Sequence, residues 1–373
     1  MVLLLLSGGY RIGHGQDRAA DSKPAGHYLN LDGGRIYYEE CGAGQSIILL
    51  HDGLVHSAGW DGEWKPLCAK FHVVRYDRRG YGRSTLPTAA FDPRADLAAL
   101  LKHLNTTRAT VVGCSSGSAL AIDFAIAHPE IVERLVLIGA VVHGMPTSSH
   151  FSERGKKNSA PIEKGDLRAA AENWSKDRYL IADGHDAARK TLYDVLVQNP
   201  QNLKYTGQWE QRTQVPAVSR LDEIHLPALI LVGEYDIPDV HAHSGVIQAG
   251  IWGSRRETLS DCGHLISLEK PEELTAKITN FVQKYQIVTV PVNILATYAG
   301  RYKLNGESEI LVHDGRLLLH LPAEKDLPLF PVSESKFLIM WGDVEVQFVK
   351  DANGMVTGLD INEDGKVSHF PRI

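Results

Sequence analysis

The hydrophobic positions of this 373-residue chain follow two rhythms. From about residue 27 to residue 285, short apolar runs alternate with stretches in which apolar residues recur every third or fourth position. The runs at 46–50, 71–76, 109–112, 135–138 and 228–232 show little polar alternation. That is the pattern of strands covered on both faces, as in a parallel sheet. The shorter segment Glu257-Thr258-Leu259 reads as another strand. Between the runs, residues 92–104 place Leu97, Leu100, Leu101 and Leu104 on one helical face. Residues 118–128 read as a helix ended by Pro129, and residues 271–285 as a helix with Pro271 in its first turn. Ahead of them, Asp32-Gly33-Gly34 between residues 28–31 and 35–39 is a hairpin signal.

Strand and helix in alternation predict an α/β fold, a doubly wound, mostly parallel sheet with helices on both faces. The strand signal lapses from about residue 141 to 221, where helices are expected over 166–179 and 186–198. After Pro291 the rhythm becomes one of short alternating segments, at 309–312, 317–321, 336–340 and 344–349. Asp314-Gly315, Asn353-Gly354 and Asp364-Gly365 supply turns, so this part reads as a small antiparallel all-β domain. The expected organisation is an N-terminal tail or partial signal segment (1–26), an α/β domain (27–287) with an inserted helical cap (about 141–221), and a C-terminal β domain (295–373).

Composition narrows the partners. The apolar share of 43% is ordinary for a globular protein, and the net charge of −6 gives no electrostatic reason to expect nucleic acid or an anionic membrane. No stretch qualifies as a membrane span. Cys41, Cys68, Cys114 and Cys262 form no Cys-x-x-Cys pair, so no zinc or redox motif is indicated; free buried thiols are the plainer expectation. Residues 2–6 are apolar and resemble the tail of a signal-peptide core, which points to export to the periplasm or medium. The alternative is the tail of a cytoplasmic protein.

The chemistry gathers at Gly113-Cys114-Ser115-Ser116-Gly117, between a buried strand and a helix. This is the setting of a nucleophile elbow, whose tight turn leaves no room for side chains at the two glycines and holds the central serine oxygen outward. A serine hydroxyl is a weak nucleophile and needs a base, and the base needs an orienting acid. Downstream, Asp236 lies in Gly233-Glu234-Tyr235-Asp236 after a strand, and His264 in Cys262-Gly263-His264 before the last α/β helix.

These motifs resemble those of the α/β-hydrolase superfamily over about residues 27–287. His51-Asp52-Gly53 is similar to the loop that supplies an oxyanion-hole N–H, and Asp77-Arg78-Arg79-Gly80-Tyr81-Gly82-Arg83-Ser84 to the loop after the next strand. The resemblance implies Ser115 as nucleophile, His264 as base and Asp236 as orienting acid. It also implies an oxyanion hole from the N–H groups of Gly53 or Leu54 and of Ser116, with no cofactor and no metal. The expected substrate is a small-molecule ester or lactone. Peptidase, carbon–carbon bond hydrolase, acyltransferase and non-catalytic binding protein are the rival readings.

Several residues compete. Asp239 and Glu234 are alternatives to Asp236, while His51 and His56 read as structural or pocket-lining. Asp77 reads as a loop-fixing residue and Asp261 as a surface carboxylate. Asp52 stands where the family's His-Gly pair has glycine, which leaves the donor of that loop open. In the cap, Trp174, Tyr179, Tyr193, Tyr205 and Trp209 either line the pocket or pack the cap's own core. The C-terminal domain resembles the lipocalin-like β domain appended to some bacterial serine hydrolases, on Tyr298-Ala299-Gly300-Arg301-Tyr302, Asp314-Gly315-Arg316-Leu317 and Leu329-Phe330-Pro331.

Overall fold

A computed structural model describes residues 26–304, 308–322 and 326–373. The expected signal-like run at residues 2–6 lies outside them. Eight strands form the first sheet: β1 (His27–Leu31), β2 (Gly34–Cys41), β3 (Ser46–Leu50), β4 (His72–Asp77), β5 (Ala109–Cys114), β6 (Val132–Ile138), β7 (Ala228–Gly233) and β8 (Arg255–Leu259). Their spatial order is β1-β2-β4-β3-β5-β6-β7-β8. β1 and β2 pair as the predicted hairpin, β2 joins β4 antiparallel, and every pairing from β4 to β8 is parallel.

β3 explains the uninterrupted apolar runs. Ile47 and Leu49 enter one core, Ile48 and Leu50 the other, and all four are fully buried. Alternate side chains point to opposite faces, so a strand with helices on both sides needs apolar residues at every position. One face is covered by α1 (Asp61–Cys68), the other by α2 (Pro93–His103) and α3 (Ser116–Ala127). Between β6 and β7 lie α4 (Ser149–Ser159), α5 (Leu167–Ser175), α6 (Asp186–Gln198) and the single turn α7 (Gln201–Lys204). Then come α8 (Pro238–Gly250), the short α9 (Ile266–Glu269), and α10 (Pro271–Lys284), which packs on the α1 face. None of these helices is long and apolar enough to cross a membrane among the described residues.

α1 and α8 give no clear sequence signal. α1 contains Gly62 and Pro66, and α8 buries few apolar side chains, Val240 and Ile247 among them, between histidines and serines. The expectation of four free thiols is corrected: Cys41 and Cys68 form a disulfide with Cα atoms 5.5 Å apart, while Cys114 and Cys262 are free and buried. The topology makes the pair. Cys41 ends β2 opposite Val73 of β4, and Cys68 ends the helix that leads into β4.

After α11 (Val292–Tyr298) a second sheet runs as a meander of eight antiparallel strands: β9 (Gly300–Tyr302), β10 (Ser308–His313), β11 (Arg316–His320), β12 (Leu327–Pro331), β13 (Lys336–Ile339), β14 (Val344–Lys350), β15 (Val356–Glu363) and β16 (Lys366–Pro371). A bridge between Tyr302 and Arg372 brings its first and last strands together, giving a near-barrel around Tyr298, Tyr302, Phe337 and Phe348. Asp343 joins the two sheets: it accepts from Tyr285 Oη at 2.8 Å and pairs with Lys284 and Arg255.

Candidate active site

Ser115 is the single residue between β5 and α3. Its backbone sits at φ 53°, ψ −116°, a conformation that non-glycine residues avoid and that surrounding structure must enforce. Its N–H donates to Ile138 O at 2.8 Å, and its carbonyl accepts from Ser118 N at 2.9 Å. The flanking glycines are required by space: a Cβ at Gly113 would stand 2.4 Å from Gly117 O, and one at Gly117 2.4 Å from Leu50 O.

Asp236 follows β7 and His264 follows β8, so both lie at the carboxyl edge where Ser115 ends β5. His264 Nδ1 donates to the Asp236 carboxylate, at 2.9 and 3.1 Å from its two oxygens. The side chains are 5% and 0% exposed. Burial opposes the charged imidazole, but the Asp236 charge and hydrogen bond outweigh it and raise the His264 pKa above its ordinary value. Gly139 makes room for the pair, since a Cβ there would lie 2.8 Å from His264 Nδ1. The backbone of His264 is held from the cap, its N–H donating to Tyr179 O at 2.8 Å. Glu269 accepts from Gly263 N and Ala182 N at 2.8 and 2.7 Å, pinning the histidine loop to the cap. No hydrogen bond joins Ser115 Oγ to His264 among the described residues; such contacts often tighten only with substrate.

The atypical Asp52 has a defined role. Its Oδ1 accepts from Leu54 N and Val55 N, each at 2.7 Å. This corrects the expectation for Leu54: its N–H is already taken, and Gly53 is left as the candidate donor of the loop. Neither the Gly53 N–H nor the Ser116 N–H has an acceptor among the described residues. His51 lies beneath, its Nδ1 2.7 Å from Asp52 O and its Nε2 accepting from Arg78 N at 2.9 Å. Burial, with the Arg78 charge, drives the His51 pKa well below the ordinary value and keeps the ring neutral.

The rival residues have other partners. Asp239 accepts from Ser148 N and Oγ at the start of α4, Glu234 accepts from Asp261 N at 2.9 Å, and neither bonds to His264. Asp77 binds Ser57 N and Arg83, which fixes its loop. Burial pushes the Cys114 thiol well up, so it is no thiolate. Of the cap aromatics, Trp174, Tyr179 and Tyr193 pack against the core, Trp209 is exposed, and Tyr205 lines a cavity of about 240 Å³. Gly53, Arg78, Tyr81, Ser116 and Leu120 share that wall, whereas Ser115 and His264 do not.

Sequence reading passed over Gly139 and Asn202. Asn202 of α7 donates to Leu54 O at 3.1 Å and accepts from Gly82 N at 3.0 Å, so the cap braces both loops beside the serine. Asn202 acts on backbone groups remote in sequence and Gly139 on side chains just as remote, and no local pattern marks either.

The profile of the alpha/beta hydrolase fold family matches residues 46–271. The chain is 26% identical over 274 residues to the 2-hydroxy-6-oxo-6-phenylhexa-2,4-dienoate hydrolase of Comamonas testosteroni, covering 67% of this chain and 91% of that one. It is 27% identical over 252 residues to the carboxylesterase YbfK of Bacillus subtilis, covering 64% and 80%. Among solved structures, the enol-lactonase of Burkholderia xenovorans LB400 superposes with a TM-score of 0.60 at 21% identity, over 69% of this chain and all of that one.

Proposed function

The chain belongs to the alpha/beta hydrolase fold family, and from that premise we propose that it is a serine hydrolase cleaving a small carboxylic ester or lactone through an acyl-enzyme. The observation that carries the reading is the buried His264–Asp236 pair at the same sheet edge as a strained Ser115. Ser115 Oγ attacks the carbonyl carbon as His264 Nε2 takes its proton. The carbonyl π electrons move to oxygen, where Gly53 and Ser116 N–H groups receive the negative charge. Asp236 holds the imidazole tautomer and stabilises its charged form. Collapse expels the alkoxide with the proton from His264, and water, deprotonated by His264, then releases the acid. A lactone gives the same sequence with the leaving alcohol still tethered.

The Bacillus carboxylesterase and the fold neighbours support ester and lactone chemistry. The Comamonas relative favours carbon–carbon bond hydrolysis as second reading on the same residues. The Cys41–Cys68 disulfide supports export to an oxidising compartment. The deciding experiment is labelling with a fluorophosphonate probe, coupled to p-nitrophenyl acetate hydrolysis. We expect one label per chain on Ser115, and loss of turnover by at least about 10⁴-fold in Ser115→Ala. Wild-type turnover in that variant overturns the reading. A panel of esters, lactones and vinylogous diketones separates the two bond classes.

A further inference from the structure

Arg78 and Arg79 are adjacent in sequence and opposite in circumstance. Arg79 forms a fork on Asp96, at 2.9 and 2.6 Å, and is an ordinary buried ion pair. Arg78 is just as buried, yet no carboxylate among the described residues is in ion-pair contact with it, and its Nε is buried with no acceptor. Glu210 borders the same cavity and acts only at longer range. An unpaired buried guanidinium is costly, so its retention calls for an explanation.

The strand order supplies one. Arg78 is the first residue beyond β4, the 51–53 loop follows β3, and Ser115-Ser116 follows β5; in the sheet these strands are neighbours in the order β4-β3-β5. Arg78 Nη2 donates to Asp52 O at 2.9 Å and to Ser116 Oγ at 2.7 Å. The Asp52 carbonyl belongs to the same peptide unit as the Gly53 N–H. A donor on that oxygen fixes the peptide plane and polarises the N–H at its other end. Ser116 carries the second candidate donor on its own backbone. One nitrogen therefore ties the two halves together. The His51 ring, wedged between Asp52 O and Arg78 N, closes the network.

We propose that Arg78 is the positioning residue of the oxyanion site: it locks the Gly53 and Ser116 donors in register and holds a positive charge there that is left without an ion-pair partner until the tetrahedral oxyanion forms. The inference rests on the Ser115 reading. It predicts an interaction stronger in the transition state than in the ground state.

The test compares Arg78→Met, Arg78→Lys and Ser116→Ala with wild type. The readouts are kcat and KM for p-nitrophenyl acetate, inhibition by a trifluoromethyl ketone, which forms a charged tetrahedral adduct, and the thermal midpoint. In Arg78→Met we expect kcat to fall about 10²-fold, with KM held within about threefold and ketone affinity lost in parallel. Arg78→Lys should recover about tenfold of the loss, and Ser116→Ala, which keeps its backbone N–H, should cost about tenfold in kcat. Unchanged kcat, a loss expressed in KM, or failure of both Arg78 variants to fold overturns the proposal. An unlabelled wild type, or a fully active Ser115→Ala, instead overturns the Ser115 reading beneath it.

Discussion

Each sheet carries histidine–aspartate pairs, and at the contact they look alike. His264 Nδ1 stands 2.9 Å from Asp236; in the β domain His320 and His369 stand 2.7 Å from Asp326 and Asp360. The surroundings differ. The first pair is 5% and 0% exposed, whereas the others are 45% and 28%, and 55% and 34%. His369 and Asp360 are simply cross-strand neighbours on β16 and β15. Water screens such pairs to little net value. In the parallel sheet, the polar groups collect at the carboxyl edge, because every strand from β4 to β8 runs the same way and delivers its following loop there. An antiparallel meander sends successive loops to opposite ends and gathers no comparable set. Orientation of strands, more than the identity of the pair, separates a candidate site from surface decoration.

The largest expected effect breaks the buried pair. Asp236→Asn should lower kcat by roughly 10³–10⁴-fold, as loss of the orienting acid does elsewhere. His264 must be neutral to accept a proton, so activity is lost as pH falls through its pKa. Asp236 raises that pKa, which moves the acid limb of kcat/KM to higher pH than an unperturbed histidine would give. With asparagine in place, burial remains without the opposing charge, and the limb should move to lower pH. A limb that stays put would show that Asp236 is not the partner that sets it.

A second test separates the sheets by their cross-links. The β domain has no cysteine, whereas Cys41–Cys68 ties β2 to the end of α1. Reduction should lower the melting midpoint of the parallel-sheet part by about 5–10 °C. The β domain's own transition, followed by its tyrosine and tryptophan signals, should not move. The smallest effect is expected at the exposed pairs. His320→Ala and His369→Ala should leave turnover within about twofold and shift stability by less than about 1 kcal/mol. A large loss of activity in either would give the β domain a part in the chemistry that its exposure argues against.

Much of the architecture was legible along the chain. β3 and β5 announced themselves because a strand buried on both faces cannot hide its composition. The Ser115 turn was legible for a local reason too, since Gly113 and Gly117 each face a backbone carbonyl at a distance no side chain allows. α1 and α8 were not, because proline, glycine and histidine interrupt their apolar spacing. The choice between Gly53 and Leu54 was also closed to sequence. It turns on whether the Asp52 carboxylate folds back onto the Leu54 N–H, a matter of loop conformation.

The sequence alone determined the class of sheet and the serine at its tightest turn, which follow from spacing and sterics within a few residues; Asp236 and His264 entered as candidates through the family resemblance of their motifs. Only the tertiary structure decided which cysteines meet, that Arg78 reaches both Asp52 O and Ser116 Oγ, and that Glu269 and Asn202 fasten the cap to the loops at the site. The reason is physical. Those contacts join segments that sheet order makes neighbours, and strand order is set by the packing of the whole chain rather than by any stretch of it.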